Sequence, residues 1–268
     1  MAFDLQLAGR HAFVFGGTTG INLGIAAAFV REGAKVTVAS RKRENVDAAL
    51  HKLGTGGAPV HGCCADVRDP EAVGAALKEA VSRFGPIHTL VSGAAGNFLC
   101  EAEKMSPNGF RTVMDIDLFG SFNALRLGFD HLAKPGGNII SITAPQGSVP
   151  MRYQAHASAA KAGVDQLTRV LALEWGAHGV RVNAISPGPI DGTEGFTRLI
   201  GPDSQARQRA IDFVPLKRLG TPDDIANLAL FLASPFASYI SGAIIPCDGG
   251  GAVESCKPAL EAAAMQRA

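Results

Sequence analysis

The sequence predicts a single doubly wound α/β domain, a seven-stranded parallel sheet with helices on both faces. Three observations carry this. Short apolar or β-branched runs alternate with helix-length segments along the chain, and such alternation implies right-handed crossovers and a sheet covered on both sides. The 268 residues are 47% hydrophobic and 18% charged, enough to bury a large core and too apolar for disorder. No stretch before residue 251 reads as a linker, so the domain is expected over 1–251 with a tail at 252–268.

The elements follow in order. Residues 12–15 form a first apolar strand ending in Gly16-Gly17, and 21–32 are helical, with Ile25 and Phe29 on one side. Residues 35–40 are β-branched and strand-like, 45–53 a polar helix, and 60–65 a third strand stopped by Asp66. Pro70 suits the first turn of a helix in which Val73, Leu77 and Val81 repeat every four residues. Residues 88–92 give the fourth strand, and one long helix is expected over 108–132. Residues 138–143 are the fifth strand, and 155–175 an Ala-rich helix with Val164, Leu167, Leu171 and Trp175 on one face. The sixth strand, 181–185, is cut off by Ser186-Pro187-Gly188-Pro189. An irregular stretch and a helical segment then lead to Val214, before a helix at 222–232 and a last strand at 243–246. Seven strands are thus separated by helical segments, and ligands are expected beyond the carboxyl ends of the strands.

Composition excludes several classes. A net charge of +1 without a basic stripe argues against a nucleic-acid partner. No apolar run approaches a membrane span, the start lacks a signal-peptide pattern, and the end is neither a peroxisomal address nor a prenylation box. Five cysteines without CxxC or Cys/His metal spacing read as free thiols in a reducing cytoplasm, with no metal expected. Cys63 and Cys100 are expected in the core.

The first strand-to-helix turn reads Gly16-Gly17-Thr18-Thr19-Gly20-Ile21-Asn22. Glycines at 16 and 20 let backbone approach a pyrophosphate, and the helix that opens there offers unpaired N–H groups and a positive dipole end. A tight turn alone would also use glycine, but its place after the first strand is the one a dinucleotide site requires. The second strand ends Ser40-Arg41-Lys42-Arg43, without the acid that binds a ribose 2′-hydroxyl. A hydroxyl and a guanidinium fork suit a 2′-phosphate, so NADP(H) is the expected cofactor.

With these motifs the chain resembles the short-chain dehydrogenase/reductase family as far as Gly251, and hence a Rossmann-type domain. The matching motifs are the glycine turn, Asp66-Val67, Ala94-Ala95-Gly96, the helix of Lys161, Pro187-Gly188 and Asp248-Gly249-Gly250. The resemblance implies cofactor contacts at Thr18, Thr19 and Ile21 in the turn, at Lys42, and at Asp66 on the adenine. It extends them to Val67, Ala94 and Gly96, to Lys161 on the nicotinamide ribose, and to Pro187, Gly188, Ile190 and Thr193 around the nicotinamide. Two departures lie in the turn: Asn22 replaces the third family glycine, and Phe15 replaces a threonine. A third is Ser92-Gly93, where the family commonly has Asn-Asn or Asn-Cys.

The family's proton donor is a tyrosine four residues before the lysine, on the same helix face. Here position 157 is alanine, and Tyr153 and Tyr239 lack that spacing. The usual serine is Ala144 and the usual asparagine is Asp117. The wording at 94–98, 113–117, 156–161 and 188–195 is similar to the 2,4-dienoyl-CoA reductase subgroup, closest to its peroxisomal type. That resemblance implies NADPH-dependent reduction of 2,4-dienoyl-CoA to trans-3-enoyl-CoA in unsaturated fatty-acid oxidation. Asn97 would donate to the thioester carbonyl, a neutral amide suited to an oxyanion. Lys161 would hold the nicotinamide ribose and stabilise the dienolate. Asp117 would pair with Lys161 and position a proton-delivering water. Arg41, Arg68 and Arg198 would meet the coenzyme A, while Phe98, Ser106 and Asn108 would border the acyl channel. His156 is expected as a helix-start residue. A homotetramer built through the two long helices is also implied. Two alternatives stay open: another short-chain reductase of activated alkenes or carbonyls that recruits Tyr153, and a non-catalytic NADP-binding sensor or scaffold.

Overall fold

A computed structural model describes residues 4–201 and 203–254. Seven strands, β1 (His11–Phe15), β2 (Lys35–Ser40), β3 (Val60–Cys64), β4 (Thr89–Ser92), β5 (Asn138–Ile142), β6 (Arg181–Pro187) and β7 (Ile244–Cys247), form one sheet in the order β3-β2-β1-β4-β5-β6-β7. All pairings are parallel. The strand order reverses between β1 and β4, where Phe15 pairs with Ser92, and the crevice beyond these two ends is the topological switch point.

Alternation along the strands sorts the core into two faces. Val14, Val36, Val38, Val91, Ile140 and Ile185 point to one side, against α1 (Gly20–Arg31) and α9 (Pro222–Ala233). Phe13, Phe15, Leu90, Ile139 and Val182 point to the other, against α3 (Pro70–Phe84), α5 (Gly120–Gly128) and α6 (Ala155–Trp175). All of these strand residues are buried, each worth about 1.5–3 kcal/mol if large and aliphatic or aromatic. Phe15, in the place of the family threonine, lies 4.6 Å from the Phe13 ring and belongs to this second core. Capping chemistry sets the helix starts. Asp69 accepts from the Glu71 and Ala72 amides ahead of α3, and Thr221 and Asp224 form a reciprocal capping box on α9.

The structure corrects several expectations. The helix expected over 108–132 is not one α-helix. α4 (Pro107–Val113) passes into a wider π-helical stretch, Met114–Phe119, before α5 begins at Gly120. Gly120 lies against Val67, where a Cβ would stand 2.5 Å from Val67 Cγ2. The wide turn buries Asp117 while Phe119 remains 57% exposed. A π-helical insertion of this kind commonly marks a functional site, and the 3.6-residue pattern does not reveal it.

β6 runs two residues further than expected, because Ser186 and Pro187 pair with Pro246 and Cys247. Pro187 has no N–H to give, and the Gly188 amide supplies the next bond, to the Cys247 carbonyl at 3.0 Å. The expected helical segment before Val214 is α8 (Ser204–Phe213), capped by Asp203, and the stretch expected to be irregular ahead of it holds a further short helix, α7 (Glu194–Ile200), capped by Thr193. Cys63 is buried as expected, but Cys100 is only half-buried, its thiol donating to the Glu101 carbonyl. α2 (Arg43–Gly54) completes the second crossover. The expected tail begins with a short helix, α10 (Gly251–Glu254), and its remainder lies outside the described residues.

Candidate active site

The glycine turn is built for close backbone approach. Gly16 and Gly20 have φ of +72° and +53°, in the left-handed region, and a Cβ on Gly16 would lie 3.0 Å from the Ala94 amide nitrogen. Thr19 precedes α1 in extended backbone and makes no side-chain cap bond, which leaves the first amides of that helix open to an anion. Thr18 is buried and Ile21 half-buried beside them. Thr193 borders the turn, its Cγ2 3.6 Å from a Cβ built on Gly20. Its hydroxyl donates to the Ile190 carbonyl at 2.8 Å and accepts from the Phe196 amide at 3.2 Å. Gly188 packs on Asp248, where a Cβ would stand 2.6 Å from Asp248 Cα. These features fit a dinucleotide pyrophosphate, with the Ser40 hydroxyl at the end of β2 and the cationic Arg41 and Lys42 just beyond it.

Two residues that the sequence treats separately hold each other. The Arg68 guanidinium chelates Asp66, with Nη2 2.6 Å from Oδ2 and Nε 3.0 and 3.1 Å from the two oxygens. That contact holds the Asp66 carboxyl below the usual carboxylate range. Val67 follows, buried under α5.

The centre lies between the wide helical stretch and α6. Asp117 is 1% exposed; its Oδ1 accepts the Gly96 N–H at 2.7 Å, and its Oδ2 stands 3.2 Å from Lys161 Nζ. Lys161 is also buried and donates to the Ile142 carbonyl at 3.1 Å. The Asp117 carbonyl accepts the Ser121 hydroxyl, which in turn accepts from Ser92. Ala157, one turn before Lys161, is buried and brings no hydroxyl.

Asn97 completes the wall. Its Nδ2 donates to Gln154 Oε1 at 2.8 Å, and Gln146 Nε2 donates to the same oxygen at 2.7 Å. Arg198 Nη1 reaches the Asn97 carbonyl at 3.4 Å, joining α7 to this loop. The Phe98 ring meets His156 edge-on at 4.3 Å. His156 is the second residue of α6 and fully buried, and burial lowers its pKa. The Cys100 amide donates to the carbonyl of Tyr153, a left-handed residue with φ of +67°. Ser106 caps α4 through the Gly109 amide at 3.0 Å, and Asn108 stands exposed in its first turn. Gln146 and Gln154 were not legible in the sequence, because no motif or helical spacing joins them to Asn97. Asp165, one turn beyond Lys161, was missed too. It is buried, its carboxyl is pushed up by that burial, and a Cβ on Gly147 would lie 2.5 Å from its Oδ2.

Two other features lie apart from this centre. His61, Cys63 and Glu79 each bring one ligand-type atom within 4.8 Å of the others. Their polar atoms have partners: His61 Nε2 meets Glu79 at 2.9 Å, and the Cys63 thiol, pushed up to about 12 by burial, donates to the Ala76 carbonyl. A cavity of about 510 Å³ lies behind the Pro187-Gly188 loop, against Val214, Leu216, Cys247 and Gly249.

The model of a family described as Enoyl-(Acyl carrier protein) reductase matches residues 16–251. The chain is 45% identical over 243 residues to the peroxisomal 2,4-dienoyl-CoA reductase [(3E)-enoyl-CoA-producing] of Pongo abelii, covering 90% of this chain and 83% of that protein. It is 40% identical over 244 residues to the "Probable 2,4-dienoyl-CoA reductase [(2E)-enoyl-CoA-producing]" of Bacillus subtilis, covering 90% and 96%. Among solved structures it superposes on a short chain dehydrogenase from Bacillus anthracis with a TM-score of 0.81, 35% identity and coverage of 91% and 96%. A dehydrogenase/reductase from Sinorhizobium meliloti gives 0.86, 31% identity and coverage of 92% and 97%.

Proposed function

This chain belongs to the short-chain dehydrogenase/reductase family and is an oxidoreductase that takes a nicotinamide cofactor; within that family we propose that it reduces 2,4-dienoyl-CoA to trans-3-enoyl-CoA with NADPH, in the oxidation of unsaturated fatty acids. One observation carries the reading. Where the family's alcohol and ketone chemistry needs a tyrosine, position 157 is a buried alanine, and one turn on Lys161 is paired with a buried aspartate, Asp117, in the place of the family asparagine. The site thus lacks a phenol for a carbonyl oxygen but keeps a charged pair able to serve carbon protonation. The similar proteins named for dienoyl-CoA reduction support the substrate class, and those named for (3E) products support the isomer.

The bound reduced nicotinamide supplies the hydride. The residues of the chain do the rest. Gly16, Gly20 and the open amides of α1 hold the pyrophosphate, and Ser40 and Arg41 hold the 2′-phosphate. Asn97 turns its second amide hydrogen to the thioester oxygen, where charge develops. Lys161 holds the nicotinamide ribose and places positive charge beside the dienolate. Asp117 fixes Lys161 and orients the water that returns a proton to carbon. Arg41, Arg68 and Arg198 receive the coenzyme A phosphates, and Phe98, Ser106 and Asn108 border the acyl channel.

The assembly belongs to the same reading. Phe119 and Phe122 along the interrupted helix and Val170 and Leu173 on α6 expose apolar surface, Leu173 at 85%. Burying these faces against further copies gives the homotetramer. Residues 1–251 act as one catalytic domain followed by the tail. No helix among the described residues is long and apolar enough to cross a membrane. The free thiols Cys63, Cys64, Cys100 and Cys247 support a reducing compartment, the cytoplasm.

The test is NADPH consumption with 2,4-hexadienoyl-CoA beside a 3-oxoacyl-CoA, each repeated with NADH, and product analysis by chromatography. Fast dienoyl reduction with slow ketoreduction is expected. Ketoreduction as fast as dienoyl reduction overturns the reading and makes Tyr153 the first residue to mutate.

A further inference from the structure

Asn22 is a buried amide for which the chemistry above has no use. It is the third residue of α1, and its Nδ2 donates to the Gly93 carbonyl at 2.7 Å, across 71 residues of sequence. Its Oδ1 is buried without a hydrogen-bond partner among the described residues. Two glycines make room for it. A Cβ on Gly93 would lie 2.2 Å from Asn22 Oδ1, and one on Gly16 would lie 3.2 Å from Nδ2. Gly93 does not have the left-handed backbone that marks Gly16. The space occupied by Asn22 is therefore what bars a side chain at 93.

Gly93 begins the segment that leads to the reaction centre. Its amide bonds the Phe15 carbonyl at 3.3 Å, just before the glycine turn. Three residues on, the Gly96 amide bonds Asp117, and the Asn97 side chain bonds Gln154. Asn22 is thus the side-chain tie between the first helix of the dinucleotide turn and the strand end that carries these groups.

We propose that Asn22 is a positioning residue for the cofactor, clamping the Gly93 end of β4 against the dinucleotide turn, with Gly93 as its obligate small partner. The clamp rests on the nicotinamide-cofactor assignment and is independent of the dienoyl substrate. Donation is its essential property. The Gly93 carbonyl can only accept, so a carboxylate at 22 sets oxygen against oxygen in a buried place.

The experiment is calorimetric titration of the full chain with NADPH and, separately, NADH, with Tm measured on every variant. The variants are Asn22→Gly, Asn22→Asp, Gly93→Asn and the double Asn22→Gly/Gly93→Asn. Each Asn22 variant is expected to weaken Kd by roughly ten- to hundredfold, the effect of a buried carbonyl left without its donor. Gly93→Asn is expected to bind at least as poorly. The double variant is expected to regain most of that loss, because the vacated space takes the new amide. If Gly93→Asn does not fold, return of folded protein in the double variant is the same rescue. Asn22 variants that lose Tm but bind like the wild type overturn the proposal, and so does a double variant no better than Gly93→Asn. Wild-type protein that binds neither dinucleotide overturns the cofactor assignment itself, and the wild-type arm separates that outcome from failure of the clamp.

Discussion

Asp117 Oδ2 and Lys161 Nζ stand 3.2 Å apart, both buried, one presented by a widened helical turn and the other by α6. Each has a second anchor, the Gly96 amide for the carboxylate and the Ile142 carbonyl for the ammonium. The pair is therefore held from both sides, and removing one charge leaves the other buried without its partner.

Asp117→Asn keeps an acceptor for Gly96 but removes the charge. Turnover on dienoyl-CoA is expected to fall by roughly 10²–10⁴-fold, the usual worth of positioned acid–base chemistry. NADPH affinity should change much less. Asp117→Ala should also cost about 3–5 kcal/mol of stability, as a broken buried pair does. Steady-state kinetics and denaturation on both variants check this. A lowered Tm with near-normal turnover would remove Asp117 from the chemistry.

The proposed preference for NADPH rests on Arg41, just after β2. Arg41→Asp should weaken NADPH roughly ten- to hundredfold, the loss of one charge-assisted contact, and improve NADH. Equal affinity of the wild type for both cofactors would remove this role.

Gln154 accepts from both Asn97 and Gln146. Gln154→Leu frees the Asn97 amide to turn, and kcat on dienoyl-CoA should drop by about 10²-fold, near the loss of one oxyanion donor. Gln154→Glu still offers an acceptor to both amides and should retain more activity, with NADPH affinity unchanged in either. Equal kcat for the leucine and glutamate variants would show that Gln154 does not orient Asn97.

His11 sets an acid limit on stability. Its Nδ1 meets the Gly85 carbonyl at 2.9 Å, which can only accept, so Nδ1 carries the proton and Nε2 accepts from Thr37. Burial lowers its pKa from 6.5 to about 4. The unfolded chain therefore binds more protons, and stability falls as pH drops through this window. The loss is about 3 kcal/mol, largely complete near pH 4. Denaturant titrations at pH 7 and pH 5 should show a steeper loss in wild type than in His11→Gln.

The strands, the glycine turn and the Ala157–Lys161 spacing were legible because local signals write them. Alternation, capping residues and positive-φ glycines act within about four residues of chain. Asp117 was legible as the partner of Lys161 from the motif around it, but its presentation was not. The wide turn at Met114–Phe119 ends at Gly120, which packs against Val67, a contact made between distant segments that no local pattern records.

By itself the sequence determined the seven-stranded architecture, the dinucleotide turn, the missing tyrosine and the pairing partners Asp117 and Lys161. Tertiary structure alone decided the Asn97–Gln154–Gln146 amides, the Asp66–Arg68 chelate as one unit, the extension of β6 by β7, and the tie from Asn22 to Gly93. The reason is physical. Alternation and helical spacing record which face of an element is buried. Asn97 and Gln154, 57 residues apart, and Asn22 and Gly93, 71 apart, meet only when the sheet brings its strand ends together, and such contacts leave no periodic trace in the chain.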